Sequence, residues 1–419
     1  MAVRQTNSVR TAVGVWQLTV VSLVLTSISI VEALHSTTII RNRNVLNNRR
    51  EIGSVSLKAS EENIVTLEED QREELGNIER IYCLSDLHSD HSANLQWLKD
   101  EIEKSSLCEK DLIIVAGDIS HDYDRFRETI QILQSKDSTI AFCSGNHEAW
   151  ITGSEASSYQ KLARIEHICR QMGVFVDAVL IQSAQHPVWI VPLHSWYDAT
   201  LSLPHSDALC TDFSTWPWAD FRRCKWPNHT TTMDGTNAKI PVGLADFFHQ
   251  LNIPSIQKVT DSRSNRDSII SFSHFLPNQQ CLPDWKELSA IDFNSQWLDH
   301  GAPGTSAKFA KVAGSETLHH QIIDLGSTLH VFGHSHRPKD FIFKGTRFVH
   351  NPLGSPRERL IHMVSPDVTF LQIWDTRIGQ LQGKQVLRLW EEQGGGIDAL
   401  KTRLAIHGKR KIRNKNRII

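Results

Sequence analysis

The sequence predicts an α/β fold, a layered α/β/β/α sandwich of two mixed sheets flanked by helices, and three observations point to it. From Ile78 onward short apolar runs alternate with amphipathic segments. A later set of apolar runs has fewer helices between its members. Within the later set lies a Pro- and Trp-rich stretch that breaks the rhythm. Apolar runs without a polar alternation are strands covered on both faces, as in βαβ units.

Taken in order, Ile81–Leu84, Leu112–Ala116 and Thr139–Cys143 are the first strand runs. Helical spacing follows each one, over Asn94–Ile102, Phe126–Leu133 and Tyr159–Met172. The second set comprises Ala178–Ile181, Val188–Val191, Ile269–Phe272, Leu329–Phe332, Phe341–Phe343, Arg347–Val349 and Phe370–Trp374, which predicts a second, partly antiparallel sheet. Two sheets with helices outside them give the layered sandwich. Residues 197–266 hold Pro204, Pro217, Pro227, Pro241 and Pro254 with Trp216, Trp218 and Trp226, and read as an irregular insert or cap whose tryptophans pack into its own core.

Around this domain, residues 78–378, the composition changes. Residues 1–33 carry Arg4 and Arg10, then an uncharged stretch from Thr11 to Val31, and Val31 and Ala33 fit a signal-peptidase site. An uncleaved membrane anchor is the alternative. Residues 34–77 are a linker, basic first (Arg41, Arg43, Arg49, Arg50) and acidic from residue 51. Its basic half resembles a transit peptide behind a signal segment, the bipartite presequence of algae. The expectation is entry into the secretory pathway with onward plastid targeting, a lumenal or membrane-anchored location being the alternatives. One sequon, Asn228-His229-Thr230, favours the lumen. Residues 394–419 form a basic tail.

A formal net charge of −2 disfavours nucleic acid as a partner of the whole chain, and membrane contact is expected only if the N-terminal segment is retained. Seven cysteines form no CxxC pair, Cys83 and Cys143 sit in strand runs as buried thiols, and a Cys210–Cys224 pair stays open. The 21 histidines invite a search for clusters.

That search ends at the strands' carboxyl ends. The runs are followed by Ser85-Asp86-Leu87-His88, Gly117-Asp118, Gly145-Asn146-His147-Glu148, Ser273-His274 and Gly333-His334-Ser335-His336. Residues at the carboxyl edge of an α/β sheet converge although distant in sequence. Two imidazoles and a carboxylate hold one divalent ion; a carboxamide, a carboxylate and two further imidazoles hold a second, with Asp118 as the natural bridge. Glycine before three of these groups permits close backbone approach.

The ordered set D-x-H, G-D, G-N-H-E, H and G-H-S-H resembles the calcineurin-like metallophosphoesterase superfamily, over roughly residues 79–375 apart from the insert. The resemblance implies Asp86, His88, Asp118 and His336 on one metal and Asp118, Asn146, His274 and His334 on the other. His194 also follows an apolar run and competes with His274. The resemblance also implies His147 as proton donor to the leaving group, oriented by Asp86 or Glu148, and attack by a metal-bridging hydroxide. The N/O donor set suits two divalent or trivalent ions, Mn, Fe or Zn. The expected substrate is a phosphorylated small molecule or nucleotide-like compound, cleaved at a phosphomonoester or phosphodiester bond. Pyrophosphohydrolysis of a nucleotide-like diphosphate and a non-catalytic scaffold are the alternatives. After Gly117-Asp118 the chain reads Ile-Ser-His-Asp-Tyr-Asp-Arg rather than the G-D-x-V-D-R-G of protein serine/threonine phosphatases, which puts a phosphoprotein substrate in doubt. Arg357 and Arg359 are candidate phosphate contacts.

Overall fold

The computed structural model describes residues 74–203, 218–227, 240–283, 305–360, 364–365 and 367–383, with isolated positions between and after them. The signal-like segment, most of the linker, Cys210, Trp216, Asn228 and nearly all of the basic tail lie outside the described residues.

Twelve strands form two sheets among these residues. The first sheet contains β2 (Arg80–Leu84), β3 (Asp111–Ala116), β4 (Thr139–Cys143), β11 (Leu371–Asp375) and β12 (Gly379–Gln380) in the order β12-β11-β2-β3-β4. The second contains β1 (Glu74–Leu75), β5 (Val179–Ile181), β6 (Val188–Pro192), β7 (Ser268–Phe272), β8 (Leu329–Val331), β9 (Lys339–Phe343) and β10 (Thr346–His350) in the order β1-β5-β6-β7-β8-β10-β9. Strands β2, β3 and β4 run parallel, as do β6, β7, β8 and β10; antiparallel pairs lie toward the sheet edges.

The alternation of side chains across a strand builds the layers. In β3, Leu112, Ile114 and Ala116 face the second sheet, packing with Ile190, Ile270, Phe272, Val331 and Val349. Ile113 and Val115 point the other way, onto α1 (Ser92–Lys104), α2 (Tyr123–Leu133) and α4 (Ser158–Gln171) through Leu98, Phe126, Ile130 and Ile165. The outer face of the second sheet is covered by α6 (Leu244–Ser262) and α8 (Glu316–Leu325), with Val259, Leu318, Ile322 and Leu325 on Trp189, Ile269 and Phe348. This is the α/β/β/α sandwich.

Two expectations change. Leu244–Ser262, inside the segment read as irregular, is a 19-residue helix with Pro254 in its interior. Proline removes one i→i−4 hydrogen bond, a cost of about 3 kcal/mol, and burial of Leu244, Ala245, Phe248, Asn252 and Val259 on the helix's inner face offsets it. Glu74–Leu75, at the end of the acidic linker, is an edge strand paired parallel with β5. Cys83 and Cys143 are buried thiols and Cys224 is a free thiol. Among the described residues no helix is long and apolar enough to cross a membrane.

Candidate metal centre

The carboxyl ends of both sheets' parallel strands meet at one edge, and backbone bonds stitch them there. The Leu353 N–H donates to the Ser85 carbonyl (2.9 Å) and the Gly354 N–H to the Asp86 carbonyl (3.0 Å), which ties the loop after β10 to the loop after β2. The Asp86 and His88 N–H groups in turn bond the carbonyls of Gly117 and Asp118, beyond β3. The loops between strand end and next element are therefore tight. Asp86, His88, Asp118, His334 and His336 all have φ between +42° and +72°. Non-glycine residues rarely enter this left-handed region, at a cost on the order of 1–3 kcal/mol each. A side chain at Gly117 would collide with His274 and one at Gly145 with the Asp118 carboxylate, so both positions require glycine for close approach.

These loops bring all seven residues read as metal ligands into one cluster, buried except for the half-buried His336. Asp86, His88, Asp118 and His336 place one ligand atom each within 4.8 Å of one another. The Nε2 atoms of His88 and His336 are 2.7 Å apart. Next to them, Asn146 Oδ1 lies 3.1 Å from both His274 Nε2 and His334 Nδ1. Asp118 Oδ2 stands between the groups, 3.4 Å from His274 Nε2 and 3.9 Å from His88 Nε2. His194 stays outside: its Nε2 faces Glu166 at 3.8 Å, and it borders a separate cavity of about 210 Å³ lined by Trp196, Phe247 and Phe248.

The outward nitrogens explain the orientation. His274 Nδ1 meets the Ala116 carbonyl (3.0 Å), His334 Nε2 the Val312 carbonyl (3.0 Å) and His336 Nδ1 the Glu358 carboxylate (2.8 Å). Each acceptor takes that ring's N–H, so the other nitrogen faces inward. This is the pattern by which ligating histidines are held. His350 supports Asp86 in the same way, donating from Nε2 to Oδ2 at 3.0 Å.

The carboxylates are held ionised, and the imidazoles divide into two kinds. Burial works against ionisation of Asp86 and Asp118. The hydrogen bond from His350 holds Asp86 below the usual carboxylate range, and the surrounding imidazoles, His147 and His274 first, do the same for Asp118. Burial pushes His88 down to about 4 and His334 to about 3. Against the same burial, Asp118 drives His274 up to about 9 and Glu358 drives His336 up to about 9. The pocket's negative charge thus calls for positive charge inside it. In the group around Asn146, donor atoms 3.1–3.4 Å apart also match the edges of a coordination shell with bonds of about 2.0–2.2 Å. The residues fit a pair of hard or borderline cations.

His147 lies beside the cluster, its Nε2 3.8 Å from Asp118 Oδ2 and its ring tilted 30° over Trp150 with centroids 3.5 Å apart. The expectation that Asp86 or Glu148 orients it does not hold. Asp86 is occupied by Ser85, His350 and the His334 N–H. Glu148 accepts from the backbone N–H groups of Asp118, Ile119, Ser120 and Gly145 and so shapes the loops rather than the imidazole. The neighbours of His147 include Trp150, His88 (ring centroids 4.5 Å apart) and the His121–Asp90 pair, whose Nδ1–Oδ2 distance is 3.1 Å. Arg359 is not free to hold phosphate either. Its guanidinium bonds the carbonyls of Leu353 and Gly354 and the Asn94 side chain, while Arg357 is exposed on the short helix α9 (Pro356–Leu360).

Sequence reasoning missed His350, Glu358 and Asp220. His350 ends a strand run and obeys the rule that found the others. Glu358 and Asp220 carry no such signal, since they act from a helix and from the insert. Asp220 is 2 % exposed, and its carboxylate accepts from Asn146 Nδ2, Trp150 Nε1 and Trp218 Nε1.

Comparison with known proteins agrees with this geometry. A family model described as Calcineurin-like phosphoesterase matches residues 79–338. A curated relative, the acyl-carrier-protein phosphodiesterase PptH of Mycobacterium tuberculosis (strain ATCC 25618 / H37Rv), is 23% identical over 299 residues, 68% of this chain and 81% of the relative. The crystal structure of phosphopantetheinyl hydrolase (PptH) from Mycobacterium tuberculosis superposes with a TM-score of 0.52 at 19% identity, over 71% of this chain and 97% of that one, a likeness of fold. With its sandwich, its five ordered motifs and the cation-demanding cluster they build, the chain belongs to the calcineurin-like phosphoesterase family and is a metal-dependent phosphoester hydrolase.

Proposed function

We propose that the chain is a phosphodiesterase working with two metal ions. Asp86, His88, Asp118 and His336 would hold one ion, and Asp118, Asn146, His274 and His334 the other. The observation that carries this is the convergence of seven N/O donors from five loops, with Asp118 Oδ2 between the two groups. When bound, the ions supply Lewis acidity toward phosphoryl oxygens and activate water for in-line attack. The protein's part is to keep Asp86 and Asp118 ionised, to aim the imidazole lone pairs, and to hold His147 at the rim as proton donor to the departing alkoxide. Neutral imidazoles and carboxylates suit Mn, Fe or Zn.

A diester rather than a monoester is proposed because the relative spanning most of the domain is named for acting on a diester of an acyl carrier protein. The substrate class is accordingly a phosphopantetheinyl group esterified to a carrier. The test compares p-nitrophenyl phosphate, its bis-ester and phosphopantetheinylated acyl carrier protein with Mn, Fe, Zn or no metal. Metal-dependent release of phosphopantetheine supports the proposal. Turnover of monoester alone removes the diester assignment, and no turnover with no metal bound on elemental analysis removes the catalytic one.

A further inference from the structure

We infer that Asp220, supplied by the insert, is a positioning residue for the metal centre: one carboxylate fixes both the amide of Asn146 and the indole on which the His147 ring rests. The inference rests on the two-metal reading above. Asn146 is the one amide among the ligand candidates, and an amide presents an acceptor at one end and donors at the other. Its Nδ2 donates to Asp220 Oδ1 at 2.9 Å, which leaves Oδ1 facing His274 Nε2 and His334 Nδ1, each at 3.1 Å. The flipped amide would set two acceptors against each other at Asp220 and aim N–H groups where a cation belongs. A carboxylate only accepts, so it selects one orientation; an amide or a methyl at 220 cannot.

The same Oδ1 accepts from Trp150 Nε1 at 2.6 Å, and Oδ2 accepts from Trp218 Nε1 at 2.9 Å. Trp150 carries the His147 ring at 3.5 Å, and Trp218 packs edge-on to His334 at 5.8 Å. Asp220 therefore reaches the proton donor and one half of the metal cluster through single intermediates. Its own place is set in α5 (Asp220–Arg223), which is fastened to the core: the Ile151 N–H donates to the Arg223 carbonyl and the Ser158 N–H to the Lys225 carbonyl, both at 2.9 Å. A second fastening runs through Ser158 Oγ, which donates to the Ala149 carbonyl and accepts from the Lys225 N–H.

The test is Mn²⁺ titration of the full chain by calorimetry and electron paramagnetic resonance. It compares wild type, Asp220→Asn and Asp220→Ala with Ser158→Ala, which loosens the insert without touching Asp220; circular dichroism and thermal melts confirm folding. Outer-sphere partners of metal ligands typically contribute 10–100-fold to affinity. The expected result is that one of two Mn²⁺ ions weakens by about 10–100-fold in both Asp220 variants while the other is retained. The spectrum then changes from a coupled pair to a mononuclear ion, and kcat falls more than KM rises. Ser158→Ala should bind both ions as wild type does. If Asp220→Ala does not fold, Asp220→Asn decides. Wild-type binding of both ions in a folded Asp220 variant overturns the inference, as does equal weakening in Ser158→Ala, which would reduce Asp220 to a fastening. Absence of Mn²⁺ binding by the wild type overturns the two-metal reading instead.

Discussion

His330 and His334 stand four residues apart, the first inside β8 and the second just past its carboxyl end. Both are buried, and burial pushes both imidazoles down to about 3. Around His330 every polar atom is closed by a partner. Ser273 Oγ gives its proton to the Phe275 carbonyl and accepts from His330 Nε2, and Ser271 Oγ accepts from Ser327 and donates to His330 Nδ1. Around His334 only the outward nitrogen is closed, by the Val312 carbonyl; the inward one meets another acceptor, Asn146 Oδ1. The backbone differs too: His334 has φ +72°, and four others of the cluster share that strained region. A structural histidine has its hydrogen bonds completed in a relaxed strand. One poised for a cation has half of them withheld, in loops that are costly to form.

The largest effect that tests this contrast is at Asp118, where the two halves of the cluster meet. Asp118→Asn removes the charge that lies nearest both groups, and more than ~100-fold loss of kcat/KM is expected, above the range for outer-sphere partners. Loss of bound metal on elemental analysis should accompany it, with the melting temperature little changed. Retained activity and metal would show that the cluster is merely a buried polar network.

His147 comes next. Its replacement by Asn should lower turnover of an alkyl diester by ~10²–10⁴-fold, the span of general acid catalysis. A p-nitrophenyl ester should lose much less, because that leaving group departs without a proton. Metal content should not move. Equal losses on both substrates would remove His147 from the proton-donor role and leave it as a wall of the site.

Glu358→Gln probes the half whose imidazole is oriented by a carboxylate rather than by a carbonyl. An amide at 358 still bonds His336 Nδ1 but no longer adds negative charge, so the first ion should weaken by about 10–100-fold while the second is kept. Separate calorimetric titrations would register this as one shifted site. Weakening of both ions together would mean that the halves are not independent.

Much of this contrast was readable in the chain. Uninterrupted apolar runs such as Leu112–Ala116 foretold strands covered on both faces, and the polar residue ending each run foretold the cluster. The chemistry there is local to a strand end. What supports the cluster is not local. Asp220 meets Asn146 across 74 residues, and nothing in its neighbourhood, Pro217-Trp218-Ala219, marks it. Glu148 is the opposite case: the resemblance implies it as a partner of His147, whereas its helix turn points it at four backbone N–H groups. Helix α6 was hidden by Pro254, since propensity is a local signal and the burial that overrides it is not.

The smallest effect belongs to the structural histidine and appears as a dependence on pH. In the folded chain burial pushes His330 down to about 3, and in the unfolded chain it titrates near the ordinary imidazole value of 6.5. A depressed histidine pKa means that the unfolded state takes up a proton the folded state refuses. The penalty is therefore absent above pH 6.5 and grows as pH falls toward 3, at about 1.4 kcal/mol per pH unit for one group. His330→Leu has no such proton. At pH 7.5 the variant should be less stable by about 1–3 kcal/mol, since Ser271 and Ser273 lose a buried partner. By pH 5 the wild type has lost about 2 kcal/mol that the variant has not, so their urea midpoints should converge or cross, with metal content and turnover unaltered. Parallel pH profiles would mean that His330 is protonated in the folded sheet. The distinction between a closed histidine inside the strand and an open one at its end would then fail at its simpler member.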